Sequence, residues 1–278
     1  MSAGGADAGG EAAAGSPAGA GGGTSGGKRA AAQAPGMSRA SWAFLLSAFA
    51  VSTCGLVYEL VAGSLASYLL GDSVTQFSLV IGIYLFSMGL GSFVTRYVSG
   101  RLVEAFVATE ITVGLVGGFS AAALFVCFER VAAFRLVLFA FVALTGMLVG
   151  FEIPLLMRIL RDELDFKDLV SKVFAFDYVG ALLASLLFPL FLVPRLGLIR
   201  TSFFFGLINV ATALATLAIA GERATGARAL RAGAIAALLA LAAGFAASDQ
   251  LMSFAEASLY PGQVVYAKNT PYQRVVVA

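Results

Sequence analysis

Seven runs of apolar residues, each close to the length that crosses a bilayer, recur along this chain and constrain its fold more than any other feature. They fall near residues 42–70, 74–98, 102–128, 136–157, 173–193, 198–220 and 232–247. A helix needs roughly 17–25 predominantly apolar residues to cross the hydrocarbon layer. In that layer only helices and closed barrels satisfy their own backbone hydrogen bonds. The seventh run, "AGAIAALLALAAGFAAS", is short and rich in alanine, so the expected count is six or seven. The fold class that follows is all-α, a polytopic transmembrane helix bundle. Composition supports it: 12% of residues are charged, against roughly 25% in a soluble domain.

The two ends differ from this body. Residues 1–40 are Gly/Ala/Ser/Pro repeats with almost no large apolar side chain. Such a segment buries too little surface to offset its ordering entropy, and is expected to be a disordered tail. It does not read as a signal peptide, because the run behind it is about twice an h-region of roughly 7–15 residues. Residues 41–248 form the expected helical domain. From 249 onward the long runs stop, and "GQVVYAK" and "YQRVVVA" read as two short strands joined by "NTP". An isolated hairpin is marginal at best, so 249–278 is expected to be the start of a soluble domain, cut off after a short β-hairpin.

Orientation comes from lysine and arginine in the loops. Twelve basic residues, from Lys28, Arg29 and Arg39 to Arg223, Arg228 and Arg231, lie on the side of the N-terminus, against Arg130, Arg135, Arg195 and Arg200 on the other. The N-terminus is therefore expected in the cytoplasm, with the chain a multi-pass protein of a bacterial inner membrane and the lipid bilayer its first partner. A net charge of +2, spread in short clusters, gives no argument for nucleic acid. There is no histidine, which removes His-based acid/base chemistry and His-ligated metal from this chain. Cys54 and Cys127 have no CxxC spacing and read as small buried hydrophobes. No metal site is expected.

Small residues four apart, Gly63 with Ser67 and Ser87 with Gly91, share helix faces where another backbone can approach. They fit packing within the bundle, with a homo-oligomer contact as the other reading. Pro154 and Pro189 are expected to kink their helices.

The chemistry-bearing residues are carboxylates inside apolar runs, which cost roughly 2.5–3.5 kcal/mol each at a helix centre. Glu59 falls near mid-run, Glu104 and Glu110 early in the third run, Glu152 just ahead of Pro154, and Asp177 early in the fifth. Two readings stand: each acid pairs with a neighbouring Arg, Lys, Ser or Tyr and fixes helix register, or together they line a polar site for a cation. Gln76, in the connection "GDSVTQFS", reads as a cap or loop residue. No GxGxxG after a strand, P-loop, nucleophile elbow or HExxH occurs, so no catalytic residue is assigned.

Three stretches, "YELVAGSLASYLLGDSVTQFSLVIGIYLFSMGLGSFVTRY", "GFEIPLLMRIL" and "DYVGALLASLLFPLFLVPRLGL", resemble the membrane region of bacterial spermidine synthase-like membrane proteins, the membrane-bound polyamine aminopropyltransferases. The end, "LYPGQVVYAKNTPYQRVVVA", resembles the opening hairpin of their catalytic domain. The resemblance implies aminopropyl transfer from decarboxylated S-adenosylmethionine, a cosubstrate and not a bound cofactor, to putrescine, giving spermidine. It places Gln273 and the preceding Tyr272 at the cosubstrate site. The family's glycine-rich loop and catalytic aspartate lie beyond residue 278. The expectation is therefore a membrane module that is inactive alone, with transport or export of polyamines or other small cations as the alternative. Putrescine or spermidine is the expected small-molecule partner.

Overall fold

A computed structural model describes residues 39–128, 130–220, 226–259, 266–269 and 274–277. Its described body is all-helical: α1 Arg39–Leu70, α2 Ser73–Val94, α3 Leu102–Phe128, α4 Phe134–Val149, α5 Glu152–Leu160, α6 Phe166–Leu187, α7 Val193–Ala220, α8 Ala227–Ala246 and α9 Ser248–Leu259. Two four-residue segments, β1 Tyr266–Asn269 and β2 Arg274–Val277, run antiparallel with Tyr266 opposite Val277. Residues 1–38, read above as a tail, lie outside the described residues.

Among the described residues, six helical segments are long and apolar enough to cross a membrane. One of them, residues 166–219, is 54 residues long. A straight helix of that length would measure about 80 Å, far more than a bilayer core. The segment is not straight. Gly197, at φ 74 and ψ 176, interrupts α7 with a backbone that only glycine adopts readily. Beside α1 the two arms run in opposite senses. Ser41 meets Glu163 just ahead of α6 and Thr53 reaches Gly180, whereas Ser47 meets Thr216 and Cys54 meets Phe205 on α7. The chain turns back between the two arms.

Both prolines mark breaks. Pro154 occupies the first turn of α5, where its missing N–H costs nothing, directly after the break at Gly150 and Phe151. Pro189 lies in a π-helical turn, Phe188–Leu192, that links α6 to α7.

Small residues decide which helices touch. Gly91 and Gly150 let α2 and α4 cross so closely that a Cβ on Gly91 would sit 1.9 Å from the Met147 carbonyl oxygen, and one on Gly150 would sit 2.1 Å from that of Met88. Gly63 packs against the Phe77 ring. Both small-residue pairs singled out in the sequence therefore serve contacts inside the bundle. A third crossing, α3 on α7, rests on Gly114, Gly118 and Gly206. Such close approach brings backbone against backbone and gains van der Waals contact along each crossing.

The buried apolar side chains divide into clusters. The largest gathers Cys54, Val57, Val113, Val149 and Phe203. A second gathers Leu45, Val51, Phe106, Leu155 and Val173. On α1 the change from one to the other falls between Val51 and Cys54, on α3 between Phe106 and Val113, and at the α4–α5 break between Val149 and Leu155.

Candidate functional site

The acid residues enter at that seam. Glu110 lies between Phe106 and Val113 on α3 and is 0% exposed; Glu152 lies between Val149 and Leu155 and is 2% exposed. Their carboxyls come within hydrogen-bond reach of each other. Both Glu110 oxygens and Glu152 Oε1 are buried with no hydrogen-bond donor directed at them. Two carboxyls so placed bond to one another only by sharing a proton, since a carboxylate is acceptor-only.

The local sequence accounts for both positions. The α4–α5 break makes Glu152 the first residue of α5, where the positive end of the helix dipole favours an acid. The Gly114–Gly206 approach draws α7 against α3, and one turn from it Asn209 Nδ2 donates to the Glu110 carbonyl at 3.1 Å. Asn209 is itself 0% exposed and its Oδ1 has no donor.

Asp177 joins this pair at its edge. It is half-buried on α6, within electrostatic range of Glu152. The Ser52 hydroxyl donates to its backbone oxygen at 2.7 Å. Glu59 is buried on α1. Glu104 is half-buried in the first turn of α3, about 9 Å along the axis from Glu110. Of the five acids singled out by sequence, the structure unites Glu110 and Glu152, brings Asp177 near, and leaves Glu59 and Glu104 apart. Tyr272 and Gln273 lie outside the described residues.

Two basic side chains of α5 and α6, Arg158 and Lys172, are engaged away from the acids. Arg158 donates to the Thr95 and Val98 carbonyls at 3.0 and 2.8 Å, and Lys172 pairs with Asp168 at 3.1 Å. No Arg or Lys among the described residues forms an ion pair with Glu110 or Glu152. Among the described residues, no group of three or more His, Cys, Asp or Glu is placed to hold a metal.

Tyr58 was not singled out in the sequence; its hydroxyl is buried without a partner and its ring packs on Gly117 of α3. Tyr58 precedes Glu59, but consecutive helical residues point about 100° apart, so the two face different neighbours. Gln76 is also corrected: it lies within α2, 5% exposed, and Asp72 caps that helix instead.

No family model matches this chain, and no solved structure matches it. Curated relatives do. The chain is 55% identical over 250 residues to polyamine aminopropyltransferase 2 of Ralstonia nicotianae, covering 87% of this chain and 49% of the relative. It is 50% identical over 235 residues to the polyamine aminopropyltransferase of Leptospira interrogans, covering 84% and 47%. Polyamine aminopropyltransferase 1 of Streptomyces coelicolor is 35% identical over 244 residues. These findings overturn the expectation of a mere membrane module, inactive alone, and its alternative of a transporter or exporter. Most of this chain is shared, at half or more of its positions, with proteins that carry an enzyme's name. The chain spans about half the length of the curated relatives it matches, and those homologues are polyamine aminopropyltransferases.

Proposed function

We propose that this chain works in a polyamine aminopropyltransferase held in a bacterial inner membrane, moving an aminopropyl group from decarboxylated S-adenosylmethionine to putrescine. The observation that supports this most is the 55% identity over 250 residues to an enzyme named for that class. In the reaction the amine nitrogen attacks the carbon beside the sulfonium and the carbon–sulfur bond breaks. Sulfur leaves as a neutral thioether, and the new secondary ammonium gives up a proton to a base. The protein's contribution is positioning of the two reactants and acceptance of that proton.

Within this reading, residues 41–248 are the membrane domain, with the N-terminus on the cytoplasmic side as the lysine and arginine count supports. Residues 249–278 open the domain that binds the cosubstrate, with Tyr272 and Gln273 contributing to it. No residue of the chain is assigned the base. The test is to express the complete gene product, separate washed membranes from the soluble fraction, and follow spermidine formation from putrescine and decarboxylated S-adenosylmethionine. Activity in the membrane fraction is expected. Folded protein that forms no spermidine would refute the transferase reading, and activity confined to the soluble fraction would refute the membrane placement.

A further inference from the structure

We propose that the groove between α1, α6 and α7, with the basic hollow at its mouth, holds one anionic phospholipid, an acyl chain in the groove and the phosphodiester against Arg195 and Arg200. The proposal rests on the membrane placement above and not on the transfer reaction.

The groove is a cavity of about 310 Å³ whose walls include Phe49 and Ala50 of α1, Leu183 and Leu187 of α6, Phe191 of the π-helical turn and Phe204 of α7. That volume lies within the roughly 300–1,000 Å³ of sites that hold small molecules. The surface is wholly apolar. Even Thr53, at its wall, turns its hydroxyl to the Phe49 and Gly180 carbonyls, at 2.7 and 3.2 Å. Leu183, Phe191 and Phe204 are exposed, so the groove opens on the outside of the bundle.

Pro189 and the turn around it shape this wall. The Val193 N–H bonds the Phe188 carbonyl five residues back, the spacing that makes the turn π-helical. Phe191 and Leu192, both from that turn, line the groove. Single π turns of this kind occur mostly at functional sites.

An apolar groove alone names no occupant, but its mouth does. Arg195 sets its guanidinium 4.4 Å from the centre of the Phe191 ring, and Arg200 precedes Phe204 by one turn of α7. The two arginines line a second hollow, of about 240 Å³, with Gly197, Ser248, Asp249 and Ser253. Asp249 pairs with Arg200, and Ser248 accepts from Arg200 Nε at 2.9 Å. Among the described residues no acid pairs with Arg195. Two guanidiniums and one carboxylate therefore leave one positive charge in the hollow, the complement of one phosphodiester. The planar guanidinium suits phosphate oxygens, and its stem lies well along an apolar wall.

Depth agrees with charge. The hollow sits where α8 ends at Ala246 and α9 begins at Ser248, at the end of a span. Arg195 and Arg200 are two of the four basic residues on the side opposite the N-terminus, which the lysine and arginine count leaves poor in positive charge. A free anion would need only the hollow, and an uncharged apolar ligand only the groove. The contact of Arg195 with Phe191 joins the two.

The test purifies the complete gene product in detergent, strips bound lipid, and adds phosphatidylglycerol or phosphatidylcholine of equal chain length, with bound lipid counted by native mass spectrometry. Saturation at one phosphatidylglycerol per chain is expected, about tenfold tighter than phosphatidylcholine. Arg195→Gln should abolish that preference. Ala50→Trp, which fills the groove, should weaken both lipids by about tenfold or more. Arg130→Gln, on the same side but stacked on Phe254, should change neither. Inorganic phosphate should not displace the lipid. Binding that rises without saturating, equal retention of the two lipids by wild type, or a preference that survives Arg195→Gln would overturn the proposal. So would displacement by inorganic phosphate, which marks a free-anion site, or a stable dimer that excludes lipid, which marks an interface between copies. The wild-type comparison decides even where a variant does not fold. Protein found in washed membranes that binds no lipid would overturn this site and leave the membrane placement standing, whereas activity confined to the soluble fraction would refute that placement itself.

Discussion

Charges at the rim of the bundle and charges in its interior are treated differently. At the rim, Arg200 donates to Ser248 at 2.9 Å and to Asp249 at 2.5 Å. Lys172 meets Asp168 one turn away on the same helix. Arg158 bonds two backbone carbonyls where the chain leaves α2. Inside, Glu110 and Glu152 meet only each other. The buried pair is a candidate for function, since acids kept in an apolar interior at a cost seldom serve packing alone.

The comparison can be broken by substitution, and the helix crossings supply the reference for a large loss. Gly150→Val should cost about 3 kcal/mol, because its side chain would enter the Met88 backbone and the crossing has no flexible side chain to yield; thermal unfolding in detergent would register it as the steepest fall of the set. Arg158→Ala should come next, at about 2 kcal/mol for two lost charge-assisted bonds. Equal stability of that variant and wild type would mean that the rim bonds are ornamental. Arg200→Ala, at a partly exposed pair, should cost under about 1 kcal/mol and less in high salt.

The interior pair should behave in the opposite way. Glu110→Gln removes a buried acid without emptying its volume, and should leave unfolding within about 1 kcal/mol of wild type or raise it. A loss as large as that of Gly150→Val would show that the pair is structural. The smallest effect is at Asp72, outside the apolar helices, whose carboxylate accepts from Thr75 N at 3.3 Å. The Thr75 hydrogen bonds hold the Asp72 carboxyl below its usual range. A depressed folded value stabilises above the unfolded value and is lost as pH falls through the folded one. Asp72→Asn should therefore differ slightly from wild type at neutral pH and converge with it in acid, as unfolding curves at several pH values would show.

Much of the bundle was legible because its signal is local. Apolar runs located the helices, and Pro154 and Pro189 marked the breaks. The turn at Gly197 was legible too, because the runs at 173–193 and 198–220 part at Pro194, Arg195 and Gly197. Ser248–Leu259 was missed as a helix, being short and less apolar than the runs before it. The acids were visible one by one, as charges out of place. Their pairing was not, because Glu110 and Glu152 meet only through the crossings of α3 with α5 and α7, and those depend on glycines far away in sequence. Asn209 was hidden for the same reason: it sits in an apolar run, and nothing local connects it to Glu110.

The most direct measurement is infrared absorption of the purified chain at neutral pH, comparing wild type with Glu110→Gln and Glu152→Gln in the region of protonated carboxyl stretches. A shared-proton pair predicts a buried carboxylic acid band in wild type that shifts or disappears in each variant. Spectra with no such band, or with one that both substitutions leave unchanged, would contradict an interior acid pair closed on itself.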